Sequence, residues 1–276
     1  MKIFQKHIFT LTLLSTILLI SCEKVVHLDL NSADTRIVIE GNITPEQGPY
    51  EVMITTSGDY YNAEGIMPIS GADVIMYDDF GNSDTLMEES DGIYLTNSLI
   101  GQSERTYAID VVYNSTRYSG SDYLPNKIYI DSLSYQEVPK NGGPPPENPE
   151  KKVYNIYCNF NDPEDTEDYY RFTIDINGEE PEGRGSGYNI ASDQLFNGQH
   201  VKYVLWYIEA APQDTITIKM DAIGFNTYEY YRTLNDALNS GGMGGTPYNP
   251  ITNLNNDALG YFGAYARDTA SLILEK

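Results

Sequence analysis

Cysteine, histidine, tryptophan and positive charge are all in short supply in this 276-residue chain. It holds two cysteines, three histidines, one tryptophan and 17 lysines and arginines, against 40 aspartates and glutamates. The net charge of −23 excludes nucleic acid as a partner, because phosphates demand a basic footprint. It also excludes electrostatic adhesion to an anionic bilayer, and favours solubility through self-repulsion. With His7, His27 and His200 the only imidazoles, the usual routes to a Ser-His-Asp triad or a multi-histidine metal site are nearly closed. Hydrophobic runs are short too. The longest uncharged one, Ile8 to Ile20, falls below the roughly 20 residues that a spanning helix needs.

That run follows Lys2 and Lys6, and a positive segment before a short apolar one reads as a signal peptide, residues 1–21. Its end, Leu19-Ile20-Ser21-Cys22, resembles the lipobox of bacterial lipoproteins: an aliphatic residue, a small or aliphatic one, a small one, then a cysteine that takes a diacylglycerol before cleavage. Cys22 is therefore the expected lipidation site and residues 22–34 the tether. A lipid bilayer is the expected partner of the acylated terminus, because several chains on one cysteine hold firmly where one holds only marginally. Cleavage removes two lysines and no acid, which takes the net charge to −25. It also leaves Cys158 as the sole remaining thiol side chain, so no intramolecular disulfide forms. Cys158 reads as a small strand residue within 153–160.

What is plentiful points to β structure: 24 tyrosines, 23 glycines and 14 prolines. Strand patterns recur at short intervals over 36–40, 50–55, 72–77, 85–87, 93–95 and 107–113. Turns at Asp78–Asn82, Asp91-Gly92 and Asn114-Ser115 separate them. The fold class is mainly β, with an N-terminal Ig-like or transthyretin-like β-sandwich over residues 35–124. Leu124-Pro125-Asn126 marks the expected boundary to a second β-rich domain, 125–276, with strands over 128–135, 169–176, 201–210, 215–220 and 259–274. The proline-rich stretch Asn141–Pro149 reads as a long exposed loop inside it. One amphipathic helix is expected near 227–239. Asn226 and Glu229 suggest a capping box, Tyr228, Tyr231, Leu234 and Leu238 share a face, and Gly241 stops it.

Four segments in order, Ile37–Ile43, Ile69–Val74, Asp91–Tyr94 and Ile130–Leu133, together with the closing runs Asn249–Leu254 and Leu259–Tyr265, resemble a lipoprotein family of the Bacteroidota catalogued as domain of unknown function 4249. Membership implies an outer-membrane lipoprotein, often encoded beside a TonB-dependent transporter of the SusC type, and supplies no reaction. Glu23-Lys24-Val25-Val26 does not match the acidic cluster that sends such lipoproteins to the outer surface, so either face of the outer membrane stays open. Residues 69–118 also resemble the carboxypeptidase-regulatory-like β-sandwich, a structural likeness that implies no peptidase.

Three constellations invite a chemical reading. The acidic run Asp162-Pro163-Glu164-Asp165-Thr166-Glu167-Asp168 offers Asp162, Glu164, Asp165 and Asp168 as hard oxygen ligands for calcium. Against this, the spacing is not that of an EF-hand, and an acidic loop in so acidic a chain is ordinarily just solvated. The Gly183-Arg184-Gly185-Ser186-Gly187 stretch lacks the lysine of a phosphate-binding loop. Aromatic residues of the second half, chiefly Trp206, Tyr248 and Tyr261 with Asn249 and Asn253, suit sugar or peptide capture, because flat rings stack while amides bind polar edges. Trp206 is more simply read as core, since strand aromatics mostly face inward.

No catalytic constellation stands out, so the expectation is a non-enzymatic protein without cofactor. It would serve as a lipid-anchored accessory of a TonB-dependent transporter, binding ligand or shaping the complex. A surface adhesive or structural β-sandwich protein is the alternative from another class. A carboxylate-based hydrolase is the third reading.

Overall fold

The computed structural model describes residues 35–58, 65–139, 142–181, 188–240 and 248–275. The leader, Cys22 and the tether lie outside the described residues, as do residues 183–187 and the glycine loop from Gly241 to Pro247. The described chain is mainly β with one helix longer than a turn. Its strands are β1 (Ile37–Ile43), β2 (Glu51–Thr56), β3 (Asp73–Asp78), β4 (Ser83–Thr85), β5 (Met87–Ser90), β6 (Ile93–Leu95), β7 (Arg105–Tyr113) and β8 (Thr116–Leu124). There follow β9 (Ile130–Glu137), β10 (Lys152–Asn161), β11 (Tyr169–Ile176), β12 (Asn189–Ser192), β13 (His200–Ala210), β14 (Thr215–Ile223), helix α1 (Phe225–Ser240) and β15 (Leu259–Ile273).

One eight-stranded sheet runs β12-β11-β14-β15-β1-β2-β6-β5. A four-stranded sheet, β4-β3-β7-β8, and a three-stranded sheet, β13-β10-β9, complete the layers. Alternation along β15 explains how they stack. Phe262, Ala264 and Ala266 enter a core with Ile39, Ile54, Ile109 and Val111. At its far end, Leu272 and, just past the strand, Leu274 pack into a second core with Ile156, Phe160, Phe172 and Ile218. The even-numbered residues of one strand thus serve both cores, and the odd-numbered Tyr261, Tyr265 and Arg267 face the helix side.

The boundary expected at Leu124-Pro125-Asn126 falls between the two cores, yet β15 belongs to both. It pairs in parallel with β1, from Val38↔Leu259 to Ile43↔Ala264, so the first and last strands of the described chain are sheet neighbours. Gly260 makes that pairing possible. Its φ is +88°, and a Cβ there would lie 2.1 Å from the Ile39 carbonyl oxygen.

Helix α1 starts at Phe225, earlier than the sequence suggests, and its cap differs. The Asn226 amide donates to the Ser121 carbonyl at 3.0 Å, and Glu229 pairs with Arg232, so the anticipated capping box is not formed. Buried Asp122 of β8 takes that role. It accepts the Thr227 hydroxyl and backbone N–H at the helix start, where unpaired N–H groups favour a carboxylate. Burial nevertheless raises its pKa to about 6. Tyr231 is buried beneath the helix, but Leu238 is 68% exposed, so the apolar face is shorter than the spacing implies.

Candidate functional site

Three buried carboxylates meet where β10 gives way to β11. β10 ends at Asn161 and Pro163 cannot continue the ladder, so Asp162 turns inward immediately after the strand. Asp168 precedes β11, and the pairing Tyr169↔Ser192 carries the next residue, Asp193, alongside it. One ligand oxygen from each of Asp162, Asp168 and Asp193 lies within 4.8 Å of the others. Asp162 accepts the Tyr170 hydroxyl and, at 2.9 Å, the Gly198 N–H. Asp168 accepts the Thr166 hydroxyl at 2.6 Å, and its own N–H donates to Asp193 at 2.9 Å.

Burial, followed by the neighbouring acids, raises the pKa of Asp168 against the pull of Thr166. Burial likewise raises Asp193, opposed by the Asp168 N–H. No lysine or arginine among the described residues forms an ion pair with the three. Such a set offers hard oxygens of the kind calcium takes, while its hydrogen bonds also account for it as a clasp between two turns. Of the sequence-based candidates, Asp162 and Asp168 belong to it; Glu164 and Asp165 are exposed and do not. Asp193 escaped the sequence reading because it reaches the others only through strand pairing.

On the helix side of the long sheet lies a charged row of a different kind. Register sets Arg171 of β11 beside Asp221 of β14, and Asp221 beside Arg267 of β15. Asp221 is fully buried and accepts from both guanidinium groups, at 2.7 and 3.0 Å from Arg171 and 2.6 and 3.0 Å from Arg267. Burial opposes the charge on Arg171, but Asp221 together with Tyr231, Tyr261 and Tyr265 outweighs it and holds the pKa well above its ordinary value. The third Arg171 contact, at 2.7 Å, goes to the Tyr231 hydroxyl of α1, which meets the Tyr261 hydroxyl at 2.6 Å. Tyr261 in turn stacks on Tyr230, ring centroids 4.5 Å apart. These groups bind one another and fasten α1 to the sheet.

The expected ligand residues do not converge. Tyr261 is engaged under the helix as described. Asn253 is a staple: its side chain donates to the Ser121 and Phe262 carbonyls, at 2.8 and 2.7 Å, and accepts the Phe262 N–H at 3.0 Å. Tyr248 and Asn249 are exposed beside the undescribed glycine loop. Trp206 stands apart from all four, on the outer face of the three-stranded sheet, and is 58% exposed rather than buried.

That outer face is ordered row by row. In β13, Val201, Tyr203 and Leu205 point to the core, which turns His200, Lys202, Val204 and Trp206 outward. In β10 the outward set is Asn155, Tyr157, Asn159 and Asn161, and in β9 it is Ser132, Ser134 and Gln136. A bulge places Trp206 and Tyr207 together opposite Asn155. Tyr207 takes φ +60°, and its N–H donates to the Asn155 side chain at 3.2 Å. Its backbone conformation is one that a bulky residue adopts only at a cost of about 1 kcal/mol or more. The Lys202 ammonium sits 4.0 Å above the Tyr157 ring, and the Tyr157 hydroxyl donates to Gln136 at 3.1 Å.

Comparison with known proteins places the chain more firmly than any of these sites. The family model described as Domain of unknown function (DUF4249) matches residues 23–271. The chain belongs to the DUF4249 family. A search of the curated proteins returns no match. Among solved structures, the adhesin InvE of Yersinia pseudotuberculosis aligns at 12% identity over 67% of this chain and 55% of that one, with a TM-score of 0.18, a likeness too slight to carry an argument.

Proposed function

We propose that this DUF4249 protein is a lipid-anchored accessory of a TonB-dependent outer-membrane transporter, which captures ligand or shapes the complex without performing chemistry on its cargo. The observation that carries the reading is the join at Cys22: the family region opens at residue 23, directly after the lipobox cysteine. A family region that begins directly after the expected acylated residue suits a protein that works at a membrane surface. The charged residues buried beneath α1 support the same view, because they are consumed in holding the fold and leave binding to exposed faces. A stand-alone surface binder is the second reading, favoured by the exposed aromatic face around Trp206, which needs no transporter to function.

A C-terminally tagged chain extracted from outer membranes in mild detergent tests the proposal, with partners identified by mass spectrometry. A near-stoichiometric barrel is the expected companion. If the protein emerges alone with Cys22 acylated, the transporter role falls and the stand-alone binder replaces it.

A further inference from the structure

We infer that the outer face of the three-stranded sheet is a binding platform for a neutral polysaccharide chain, with Trp206 as its stacking residue. The inference deepens the capture role by naming the class of cargo. Four observations converge on it. First, the face is nearly free of carboxylates in a chain of net charge −23. From Trp206 to His200 the one acid on these rows is Asp131, and it already accepts the Asn161 amide at 2.7 Å. Second, the face is a lawn of uncharged hydrogen-bonding groups: Asn155, Asn159, Gln136, Ser132, Ser134 and the Tyr157 hydroxyl. Third, the sole tryptophan of the chain stands on this lawn largely in water, where an indole has no folding role to repay its exposure. Fourth, the bulge that sets Trp206 beside Tyr207, ring centroids 6.1 Å apart, holds Tyr207 at positive φ, and such departures concentrate at functional positions.

The dimensions and chemistry select the occupant. Trp206 lies six residue steps along the strand from His200, which makes the face about 20 Å long, and three strands make it about 10 Å wide. It is a strip suited to a chain. An added β-strand would pair with the backbone edge of β13 or β9 and leave the side chains of this face unused. An amphipathic helix would need an apolar stripe, and only Val204 and Trp206 supply one here. An anionic polymer would find a single lysine, Lys202, already over Tyr157. A sugar ring instead presents a flat C–H face to an indole and a rim of hydroxyls to amides, and it carries no charge. Tyr157, its ring covered by Lys202, then serves as a rim group while Trp206 stacks.

Because Trp206 is the only tryptophan, its emission reports on the platform directly. The mature lipoprotein in a zwitterionic detergent would be titrated with cellohexaose, xylohexaose, maltohexaose and chitohexaose. A saturable change in emission with at least one of them is expected. Ser134→Glu, which puts a charge on an exposed position beside Tyr157, should weaken that response at least tenfold. Trp206→Ala should weaken the same sugar's binding at least tenfold by calorimetry, with the circular dichroism spectrum unchanged. No response to any hexasaccharide at millimolar concentration overturns the inference, as does binding that survives Trp206→Ala within twofold. Loss of a copurifying barrel in Trp206→Ala, without any sugar response, would make the face a protein interface and also overturn it. Sugar binding by a chain that copurifies with no barrel leaves the inference standing and removes only the transporter reading.

Discussion

The two exposed-looking aromatic sets of the second half end in opposite situations. Tyr230, Tyr231, Tyr261 and Tyr265 lie under α1, joined to Arg171, Asp221 and Arg267, and every charged group there has found its partner inside the protein. Trp206, Tyr157 and their amide neighbours lie on the outer face of the three-stranded sheet, away from α1, with Gly143 packed against Tyr207 at one end. Residue types are similar in both places. What separates them is whether a helix is laid across the strands, and that follows from chain topology rather than from local pattern. Under the helix, polar groups are structural because their alternative, burial without partners, is costly. On the open face, water would satisfy the same groups, so their arrangement is free to serve a ligand.

The sharpest way to break the comparison is at Asp221. Asp221→Ala would leave Arg171 and Arg267 facing each other without a counter-ion, and removal of one partner from a buried charge network costs about 3–5 kcal/mol. Urea denaturation should show that loss, or a chain that no longer folds. A cost under about 1 kcal/mol would mean that the row is dispensable and that α1 is held by its aromatic contacts alone.

Asp122 sharpens the comparison from the other side, as a buried carboxylate with hydroxyl and N–H partners but no arginine. Its pKa rises from the ordinary 3.8 to about 6 because burial outweighs the bonds from Thr227 and Ala264. Between those values the folded chain binds more protons than the unfolded one, so this residue's contribution to stability falls as pH rises through the window and is level above it. The full change corresponds to about 3 kcal/mol. Asp122→Asn should abolish it. The difference in unfolding free energy between variant and parent should therefore climb in the variant's favour from pH 4 to pH 6, and a flat difference would refute the assignment.

A smaller effect of the same sign is expected at Asp168, which is crowded by Asp162 and Asp193. Asp168→Asn keeps an acceptor for Thr166 and relieves the repulsion. In buffer with a chelator it should stabilise the chain at pH 7 by about 1 kcal/mol, with a smaller gain at pH 4, where the parent carboxyl is already partly protonated. Destabilisation at pH 7 would show that the clasp needs all three charges.

Much of the fold was legible because strand alternation and turn chemistry are local. The Asp91-Gly92 turn does join β5 to β6, with Gly92 at φ +74°. Asp78 accepts the Phe80 and Asn82 N–H groups at 3.1 and 2.8 Å and the Arg105 guanidinium at 2.7 Å, as an Asp-x-x-Gly turn allows. Long-range register was not legible. Nothing local reveals that β1 lies beside β15, and without that register the row Arg171–Asp221–Arg267 cannot be foreseen. The one available signal was Arg171 itself, an arginine inside the apolar run Tyr169-Tyr170-Arg171-Phe172, where a charge needs a partner. The acidic loop was found but its members were mis-sorted. Residues flanking the strands turned inward, and Glu164 and Asp165 at the tip turned out.

Trp206 tests the comparison at its quietest point. Both faces of β13 carry apolar residues, Val201, Tyr203 and Leu205 on one and Val204 and Trp206 on the other, so alternation alone cannot say which face is core. Had Trp206 been core, its truncation would cost about 3–5 kcal/mol. At 58% exposure, with Leu205 and Tyr203 filling the interior beside it, Trp206→Ala should change the unfolding free energy by no more than about 0.5 kcal/mol. Tyr203→Ala, one face away, removes a ring stacked 4.1 Å from Phe172 and should cost several times as much. Measured together, the two substitutions compare the faces of a single strand. Equal losses would mean that the open face is packed against something after all, and would remove the physical ground for assigning Trp206 to binding.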